Sequence, residues 1–274
     1  MRIAVTGSGG QLGRALVRVL GREHDVVAWP RAVLDVCDAD AVLATVMATR
    51  PDAIVHAAAW TDVDGCERDP ARARRVHVEG TAAVAHAARK AQAHLVAVST
   101  DLVFDGRKHT PYLEDDPTAP LQTYGRTKLE AERLALEIAP RCTVVRTAWL
   151  HDLSAPQGFV AAMFEQAARG APFDVVVDQV GSPTSVDWCA ARLGEIVETM
   201  TTGLLHRAEP LVESRAAFAR RILAKAGFDP ALVRDVTTAS MPARPAIRPR
   251  YSALGSVREL RRSDHAAHGD GCDC

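Results

Sequence analysis

A glycine loop between an apolar segment and an amphipathic one is the feature that most constrains this fold. Gly7, Gly10 and Gly13 form a G-x-x-G-x-x-G pattern directly after the apolar run from Ile3 to Thr6. After a first parallel strand, such glycines allow a tight turn, a close backbone approach to a pyrophosphate, and close packing of helix on strand. The free N–H groups of the following helix favour phosphate. The residues expected to hold a dinucleotide here are Gly7, Gly10, Gln11, Leu12 and Gly13.

The first 150 residues alternate short β-branched segments with longer helical ones, a pattern that predicts a parallel sheet covered by helices. Five predicted strands lie at residues 3–6, 26–29, 54–56, 95–98 and 143–147. The predicted helices lie at 11–21, from Asp38 to about 50, at 70–91, and at 124–138. We therefore predict an α/β fold, a Rossmann-type doubly wound parallel sheet, with the NAD(P)-binding core in residues 1–150.

The character of the sequence changes after Trp149, where prolines and turns become more frequent. We predict a smaller C-terminal substrate-binding lobe over residues 151–250, with part of the core interleaved and a strand at 173–177. The Pro/Arg-rich segment 241–250 is expected to be irregular, and 260–274 is expected to be a disordered tail. That tail contains His and Cys residues, but its Cys-x-Cys spacing is poor for zinc, so we predict no metal site.

Charge and hydropathy exclude several classes of protein. The chain has 33 Lys and Arg against 34 Asp and Glu, a net charge of −1, which provides no field for nucleic acid or an anionic membrane. No apolar run approaches the ~18 residues of a membrane span, and the N-terminus does not resemble a signal peptide. The six cysteines lack the spacing of a disulfide framework. A cytoplasmic enzyme or binding protein, without nucleic-acid or membrane partners, is therefore expected.

The end of the second predicted strand bears on which cofactor binds. An acidic residue there would bind the ribose 2′-OH of NAD, but Trp29 and Pro30 occupy the position and Arg31 follows. A guanidinium suits a 2′-phosphate, so NADPH is favoured and NADH stays an alternative. Asp35 and Val36 are expected beside the adenine.

Three residues form a candidate catalytic group. Tyr124 and Lys128, four residues apart at the start of a predicted helix, lie on one helix face. A nearby ammonium is expected to lower the pKa of the phenol, so that Tyr124 exchanges a proton with a substrate. Thr100, at the end of the fourth predicted strand, lies where a hydroxyl can reach a substrate carbonyl. An exposed Tyr and Lys on an ordinary helix is the alternative interpretation.

Short sequence motifs along nearly the whole chain resemble those of one protein family. S-T-D-x-V-F-D-G and D-Q-x-G-S-P-T are much more specific than the glycine loop. The sequence resembles the dTDP-4-dehydrorhamnose reductases, a group of extended short-chain dehydrogenase/reductases. The matching segments lie at 7–13, 56–64, 99–106, 111–114, 124–128, 146–149, 178–184 and 243–245.

The resemblance implies hydride transfer from a nicotinamide to the C4 ketone of a dTDP-4-keto-6-deoxy-L-hexose, giving dTDP-L-rhamnose. By the family pattern, Tyr124 protonates the developing alkoxide, Thr100 orients the carbonyl, and Lys128 tunes Tyr124 and binds the ribose. The resemblance also assigns cofactor contacts to His56, Ala57, Ala58 and Ser99. It assigns substrate contacts to Val63, Leu102, Trp149 and Gln179.

Three positions depart from the family pattern. The family usually has a Tyr at Leu102, so a sugar hydroxyl loses a partner here, and an Asn at His77. Some members hold Mg²⁺ with glutamates at a dimer contact, but Ala15 stands at one of those positions. A magnesium-bridged dimer is thus not supported, and we expect a monomer or weak homodimer.

Several alternatives remain open. The substrate could be another dTDP-keto-sugar of secondary metabolism, or the chain could be a non-catalytic nucleotide-binding regulatory subunit. Sugar dehydratases need an acid pair beside the Thr, and Asp101 with Leu102 supplies only one carboxylate. Arg244 and Arg248, in and beside the matched segment 243–245, are candidates for contact with a diphosphate.

Overall fold

Six strands form one parallel sheet in a computed structural model that describes residues 1–258. Their order across the sheet is β2, β1, β3, β4, β5, β10. Every neighbouring pair in this sheet is parallel. The chain order reverses between β1 and β3, and the carboxyl ends of strands at such a point border a ligand crevice. The strands are β1 (Arg2–Thr6), β2 (Asp25–Trp29), β3 (Ala53–His56), β4 (His94–Thr100), β5 (Cys142–Thr147) and β10 (Gly203–His206).

Helices cover both faces of this sheet, as the doubly wound prediction requires. One apolar core lies between the sheet and the helices α2, α5 and α6, and it includes Val42, Val84 and Ala135. The other lies between the sheet and α1 and α8, and it includes Leu16 and Leu193. These helices are α1 (Gln11–Leu20), α2 (Ala39–Thr49), α5 (Gly80–Ala91), α6 (Thr123–Ile138) and α8 (Val186–Thr199).

The segment predicted as a polar loop followed by one helix at 70–91 differs from the prediction. It holds two short helices, α3 (Val63–Arg68) and α4 (Pro70–Arg74), then a π-helical turn (Arg75–Glu79) that leads into α5. Asp62 and Asp69 cap the two short helices, since their side chains accept hydrogen bonds from backbone N–H groups. The sequence predicts the cap at Asp69, directly before Pro70, and the structure confirms it, whereas the π turn is not encoded by periodicity.

The sixth strand of the central sheet is β10, a short segment that the sequence pattern did not reveal. It pairs with β5, and α8 before it is capped by the side chain of Ser185. The predicted strand at 173–177 does exist, as β7 (Phe173–Val176), but it pairs with β12 (Val233–Val236) outside the central sheet. A short strand inside the central sheet and one outside it have similar apolar patterns in the sequence. Only the tertiary structure shows with which strand each of them pairs.

The remaining elements lie beside the open edge of the crevice. They enclose an apolar cluster around Val175, Ala219 and Leu223. The elements are β6 (Leu150–His151), α7 (Phe159–Ala168), β8 (Val180–Gly181), β9 (Thr184–Ser185), β11 (Glu213–Ser214) and α9 (Arg215–Lys225). The predicted tail at 260–274 lies outside the described residues. Among residues 1–258, no helix has the length and apolar character to cross a membrane.

Candidate active site

A cleft of about 1360 Å³ opens at the carboxyl end of the sheet, where the strand order reverses. The glycine loop and the segments around 148–157, 174–179 and 238–252 all line it, and Gln11 in the loop donates to the Gln157 carbonyl at 3.1 Å. Nearly every residue that the sequence assigned to a site borders this cleft. They are Gly7, Gly10, Gln11, Leu12, Gly13, Arg31, Asp35, Val36, Ala57, Ala58, Val63, Ser99, Thr100, Leu102, Tyr124, Lys128, Trp149 and Gln179.

His56 is the exception, because its side chain is directed away from the cleft while its cofactor contact stays a prediction. Its ring is buried, with Nδ1 2.7 Å from the Thr6 hydroxyl and Nε2 3.1 Å from the Thr81 hydroxyl. Burial lowers the pKa of His56 to about 3, so the imidazole is neutral. The side chain of this last β3 residue bonds α5 instead, while Ala57 and Ala58 continue along the cleft.

The glycine loop fits a pyrophosphate by its tight backbone. Gly7 has a φ of +66°, and a Cβ there would lie 2.7 Å from the Ala58 backbone. A Cβ on Gly13 would lie 2.2 Å from the carbonyl oxygen of Gly7. Gly10, the N-cap residue of α1, has no side chain to cap the helix, which leaves N–H groups free at the cleft. The loop is therefore a cradle suited to a dinucleotide pyrophosphate.

The part of the cleft beyond β2 is exposed, and its charged side chains form only a long ion pair. Arg31 lies 3.6 Å from Asp35, with about 70% of the Arg31 side chain exposed. Asp35 accepts a hydrogen bond from the Cys37 backbone, which holds its pKa below the usual range. The Arg31 guanidinium is thus free to turn toward a phosphate in this part of the cleft.

Lys128 is buried beneath the cleft on α6. Its ammonium donates a hydrogen bond of 2.8 Å to the carbonyl oxygen of Val98. Burial lowers the pKa of Lys128 to about 8, against the opposing charge of Glu132. The ammonium is therefore largely charged at neutral pH and titrates just above it.

The pKa of Tyr124 does not follow the sequence prediction. Burial raises the pKa of the phenol well above its usual range, and the negative charge of Asp101 raises it further. The Thr100 hydroxyl opposes this shift, whereas Lys128 is not among its causes. The predicted lowering by Lys128 is therefore wrong for this structure, because the ammonium is directed at the Val98 carbonyl and desolvation dominates. At neutral pH the phenol carries its proton.

Thr100 is bound into a buried polar group that includes a carboxylate. Its hydroxyl donates to Asp101 Oδ1 at 3.1 Å and accepts from the Leu102 backbone N–H at 3.1 Å. The Ser252 hydroxyl donates to Asp101 Oδ2 at 2.5 Å. Burial raises the pKa of Asp101 to about 6, and the two hydroxyl donors oppose that shift. Asp101 was not predicted as a site residue, although its place directly after Thr100 was a usable signal.

A buried ion pair lies behind the strand end that carries Ser99. The Ser99 hydroxyl donates to Glu132 Oε1 at 2.5 Å, and Arg146 binds both oxygens of the same carboxylate, with Nη2 2.8 Å from Oε2. Both charged side chains are about 4% exposed. A buried pair of this kind fixes geometry more surely than it adds stability. The ion pair holds Ser99 at the cleft wall. It also engages the carboxylate of Glu132, whose charge acts on Lys128.

His77, in the π turn, connects α6 to the loop after β3. Its Nδ1 lies 2.8 Å from the Thr127 hydroxyl, and the Trp60 backbone N–H donates to Nε2 at 3.1 Å. Nε2 also lies 3.1 Å from the Trp60 carbonyl oxygen, so the ring is tied to both backbone polar groups of Trp60. Burial lowers the pKa of His77 to about 3, and the ring meets Tyr124 edge-on at 5.2 Å between centroids. The neutral imidazole thus braces α6 beside Tyr124.

The predicted substrate residues come from four separate elements. Val63 begins α3, Leu102 lies in a 3-10 turn after β4, and Trp149 follows β5. Gln179 follows β7 and donates to the Thr238 hydroxyl at 3.1 Å. Leu102 presents an apolar side chain where the family has a hydroxyl. The wall facing the reacting group is therefore more apolar than the family pattern implies.

Basic residues from the C-terminal part of the chain gather on one wall of the cleft. Arg248 forms a two-point ion pair with Asp64, with distances of 3.0 and 3.1 Å, while Arg244 lines the cleft nearby. Arg215, at the start of α9, also lines the cleft, and its guanidinium carbon lies 3.4 Å from the centre of the Trp149 ring. Nothing in the local sequence marks Arg215, since only the fold brings α9 to Trp149.

Ala15 has no side-chain atom that could bind Mg²⁺. It is buried between α1 and the sheet. Within residues 1–258, the one group of three side chains close enough to share an ion is Glu23, His24 and Glu198. These residues lie at the far ends of α1 and α8, away from the cleft.

Comparison with known proteins identifies the relatives of this chain. The family model of the RmlD substrate binding domain matches residues 1–266. A dTDP-4-dehydrorhamnose reductase of Mycolicibacterium smegmatis is 40% identical over 95% of this chain and 80% of its own length. A probable dTDP-4,6-dihydroxy-2-methyloxan-3-one 4-ketoreductase of Streptomyces antibioticus is 41% identical over 94% of this chain and 88% of its own length.

Solved structures agree with this assignment. The crystal structure of a dTDP-4-dehydrorhamnose reductase from Clostridium acetobutylicum has a TM-score of 0.89, 35% identity, and coverage of 93% of this chain and 90% of its own. A dTDP-4-dehydrorhamnose reductase from Bacillus anthracis, solved in complex with NADP, has the same TM-score and coverage at 32% identity. The chain therefore belongs to the RmlD substrate binding domain family, that of the dTDP-4-dehydrorhamnose reductases, and is an oxidoreductase of this type.

Proposed function

We propose that this protein reduces the 4-keto group of a dTDP-4-keto-6-deoxy-L-hexose, with NADPH as the preferred hydride donor and dTDP-L-rhamnose as the product. One observation carries the proposal. Thr100, Tyr124 and Lys128, from a strand end and a separate helix, border the same cleft as the glycine cradle. A protein that only binds a nucleotide has no need of all three groups at that position.

The chain's own residues support binding of NADPH. The loop from Gly7 to Gly13 would hold the pyrophosphate against the start of α1, and Arg31 would bind a 2′-phosphate with little reorganisation because its guanidinium is exposed. Lys128, buried at the cleft wall, would donate hydrogen bonds to the ribose. The bound cofactor supplies the hydride. The Bacillus anthracis relative, solved with NADP, is consistent with this preference.

Tyr124 is the proton donor in this proposal. Its raised pKa keeps the phenol protonated at neutral pH, which is the state that a reduction requires. As the ketone oxygen gains negative charge, the phenol gives up its proton to that oxygen, and solvent later restores it. Lys128 does not lower the pKa of Tyr124 in this structure, so its part in the proposal is to bind the ribose.

Thr100 orients the carbonyl. Its hydroxyl proton is directed at Asp101 in this structure, so substrate binding must turn it toward the ketone oxygen. The Leu102 N–H donates a hydrogen bond to the Thr100 hydroxyl oxygen, and this bond keeps the hydroxyl at the strand end while its proton turns. Asp101 would then keep its bond from Ser252.

A related dTDP-keto-sugar of secondary metabolism is the second candidate substrate. Leu102 favours it, because an apolar wall suits a sugar with fewer hydroxyl groups. Two relatives have such names, the Streptomyces antibioticus ketoreductase and a dTDP-4-keto-6-deoxy-D-glucose reductase of Streptomyces niveus that is 37% identical.

The test is a direct assay with the purified protein. NADPH is mixed with dTDP-4-keto-6-deoxy-L-lyxo-hexulose, nicotinamide absorbance is followed, and the product is identified by NMR. We expect rapid oxidation and dTDP-L-rhamnose. Faster turnover of a dTDP-4-keto-2,6-dideoxyhexose, which has one hydroxyl group fewer, would select the second candidate. NADPH binding without oxidation of any keto-sugar, or no NADPH binding, would refute the reductase assignment and favour a regulatory subunit.

A further inference from the structure

The guanidinium of Arg215 lies flat on the indole of Trp149. Its central carbon is 3.4 Å from the ring centroid, and the Phe159 ring lies at 5.0 Å from the same atom. Stacking of this kind is favourable and restricts where the N–H groups can point. Arg215 is therefore held in one orientation at the cleft wall by aromatic contacts.

The other face of Trp149 is covered by Gly181. A Cβ on Gly181 would lie 2.3 Å from Cε2 of the indole and 2.6 Å from both atoms bonded to it there, Cζ2 and Nε1. These distances place that point above the ring rather than at its edge. Arg215 is not among the atoms nearest to it, so the two residues cover opposite faces. A sugar ring cannot stack on Trp149 unless Arg215 moves.

Arg215 has no acceptor for its N–H groups in residues 1–258. No carboxylate of the described residues lies within ion-pair distance of it. Asp101 is the acid whose charge acts on Arg215, but its two oxygens already accept hydrogen bonds from Thr100 and Ser252. Burial lowers the pKa of Arg215 to about 10, so it remains charged at neutral pH. Arg215 is only partly buried, and its nitrogens are not among the fully buried unpaired atoms of residues 1–258, so its N–H groups face the water of the cleft. A ligand in the cleft can replace that water as the acceptor.

The charges around Arg215 favour an anion. Arg244 and Arg248 both act on it with like charge. These three cations are accompanied by two acids. Asp64 is paired with Arg248, and the pKa of Asp101 is raised. This end of the cleft thus carries an excess of positive charge when substrate is absent. A phosphate group, with oxygens that match the planar fork of a guanidinium, meets this requirement best.

We propose that Arg215 is a substrate-binding residue that donates hydrogen bonds to the diphosphate of the sugar nucleotide, and that Trp149 and Gly181 hold it in place. The identity of the nucleotide rests on the proposed function. In this arrangement Trp149 serves the substrate through Arg215 rather than as a platform for the sugar.

The test compares dTDP with thymidine, which lacks the diphosphate, as ligands of the NADPH-saturated full-length protein. In Arg215→Met we expect the Kd of dTDP to rise about 10- to 100-fold, as for the loss of charge-assisted hydrogen bonds, and the Kd of thymidine to change less than about twofold. Arg215→Lys, which keeps the charge without the fork, should lie in between. Arg220→Met is the matched control, since Arg220 lies on the same helix but pairs with Asp235 and should not change either Kd.

Two results would overturn the proposal. One is an Arg215→Met protein that binds dTDP as tightly as the wild type. The other is an equal loss of dTDP and thymidine binding, which would indicate a purely structural role. Failure of the proposed function would give a different result. The wild type would then reduce no dTDP-keto-sugar, but its affinity for dTDP would still fall when Arg215 is replaced. Turnover that is normal in both proteins would refute this inference alone.

Discussion

The two ends of the cleft differ in how they hold their functional groups. At the reacting end, Thr100, Asp101 and Lys128 are buried, and the pKa values of Asp101 and Lys128 are shifted toward neutrality. At the adenosine end, Arg31 and Asp35 are exposed and form a loose pair at 3.6 Å. The polar groups of the first end are fixed by hydrogen bonds, whereas those of the second are largely hydrated.

This difference agrees with the roles that the proposed function gives to the two ends. Proton transfer needs groups held in a fixed geometry and in a medium of low dielectric constant, where charges act strongly. Discrimination of a 2′-phosphate needs only a cation within reach, and an exposed arginine provides this without strain. Catalysis and cofactor choice should therefore respond separately to mutation.

The largest effect is expected at the reacting end, from Tyr124→Phe. This change removes the proton donor and keeps the ring that packs edge-on against His77. We expect kcat to fall by at least about 10²-fold, the usual contribution of a positioned acid, with unchanged NADPH affinity. Steady-state kinetics with the keto-sugar and fluorescence titration with NADPH measure the two quantities. A mutant that turns over at the wild-type rate would show that Tyr124 is not the donor.

Between the two ends, Gly13→Ala tests the pyrophosphate cradle. The new Cβ would lie 2.2 Å from the Gly7 carbonyl oxygen, so the backbone of the loop must shift. We expect a Kd for NADPH at least about tenfold higher and a loss of ~1–3 kcal/mol in the free energy of unfolding, as for overpacking.

Gly9→Ala is the control for this change, because its Cβ would meet Pro30 at an ordinary 3.7 Å. Isothermal titration and chemical denaturation of both variants provide the comparison. If the two substitutions had the same effect on NADPH binding, the tight contact at Gly13 would not be what shapes the site.

The pH dependence sharpens the contrast at the reacting end. The pKa of Lys128 is lowered from 10.5 to about 8, so the ammonium loses its proton as the pH rises through 8. If the cofactor needs that charge, kcat/KM for NADPH should be flat below this pH and fall about tenfold per pH unit above it. Lys128→Arg keeps its charge at high pH, so its lower activity should show no such fall. A wild-type profile that stays flat to about pH 10 would contradict a role for the charged ammonium.

The smallest effect is expected at the adenosine end, from Arg31→Ala. The exposed pair with Asp35 contributes little, so the free energy of unfolding should change by less than about 0.5 kcal/mol. We expect KM for NADPH to rise about two- to fivefold and KM for NADH to stay constant, since only the 2′-phosphate loses its partner. Parallel kinetics with the two cofactors decide this, and an equal change for both would remove Arg31 from cofactor selection.

The sequence predicted the parts of the fold that local patterns encode. The strands from β1 to β5 and the helices α1, α2 and α6 lie where the alternation of apolar segments placed them, within about two residues, the usual uncertainty of helix and strand boundaries. The strand β10 was missed because its segment has only two apolar residues, Leu204 and Leu205, between a glycine and a histidine. The π turn was missed for a different reason, since it depends on the packing of His77 against α6 rather than on its own residues.

For the site, the sequence by itself determined which residue types meet at the crevice. Glycines after a first strand, a hydroxyl at a strand end, and Tyr and Lys one turn apart are each fixed by a few neighbouring residues. Only the tertiary structure decided how these groups are charged and what supports them. Desolvation raises the pKa of Tyr124, β3 directs His56 away from the cleft, and α9 brings Arg215 onto Trp149. Burial and contacts between distant segments depend on the whole packed chain, so no local pattern records them.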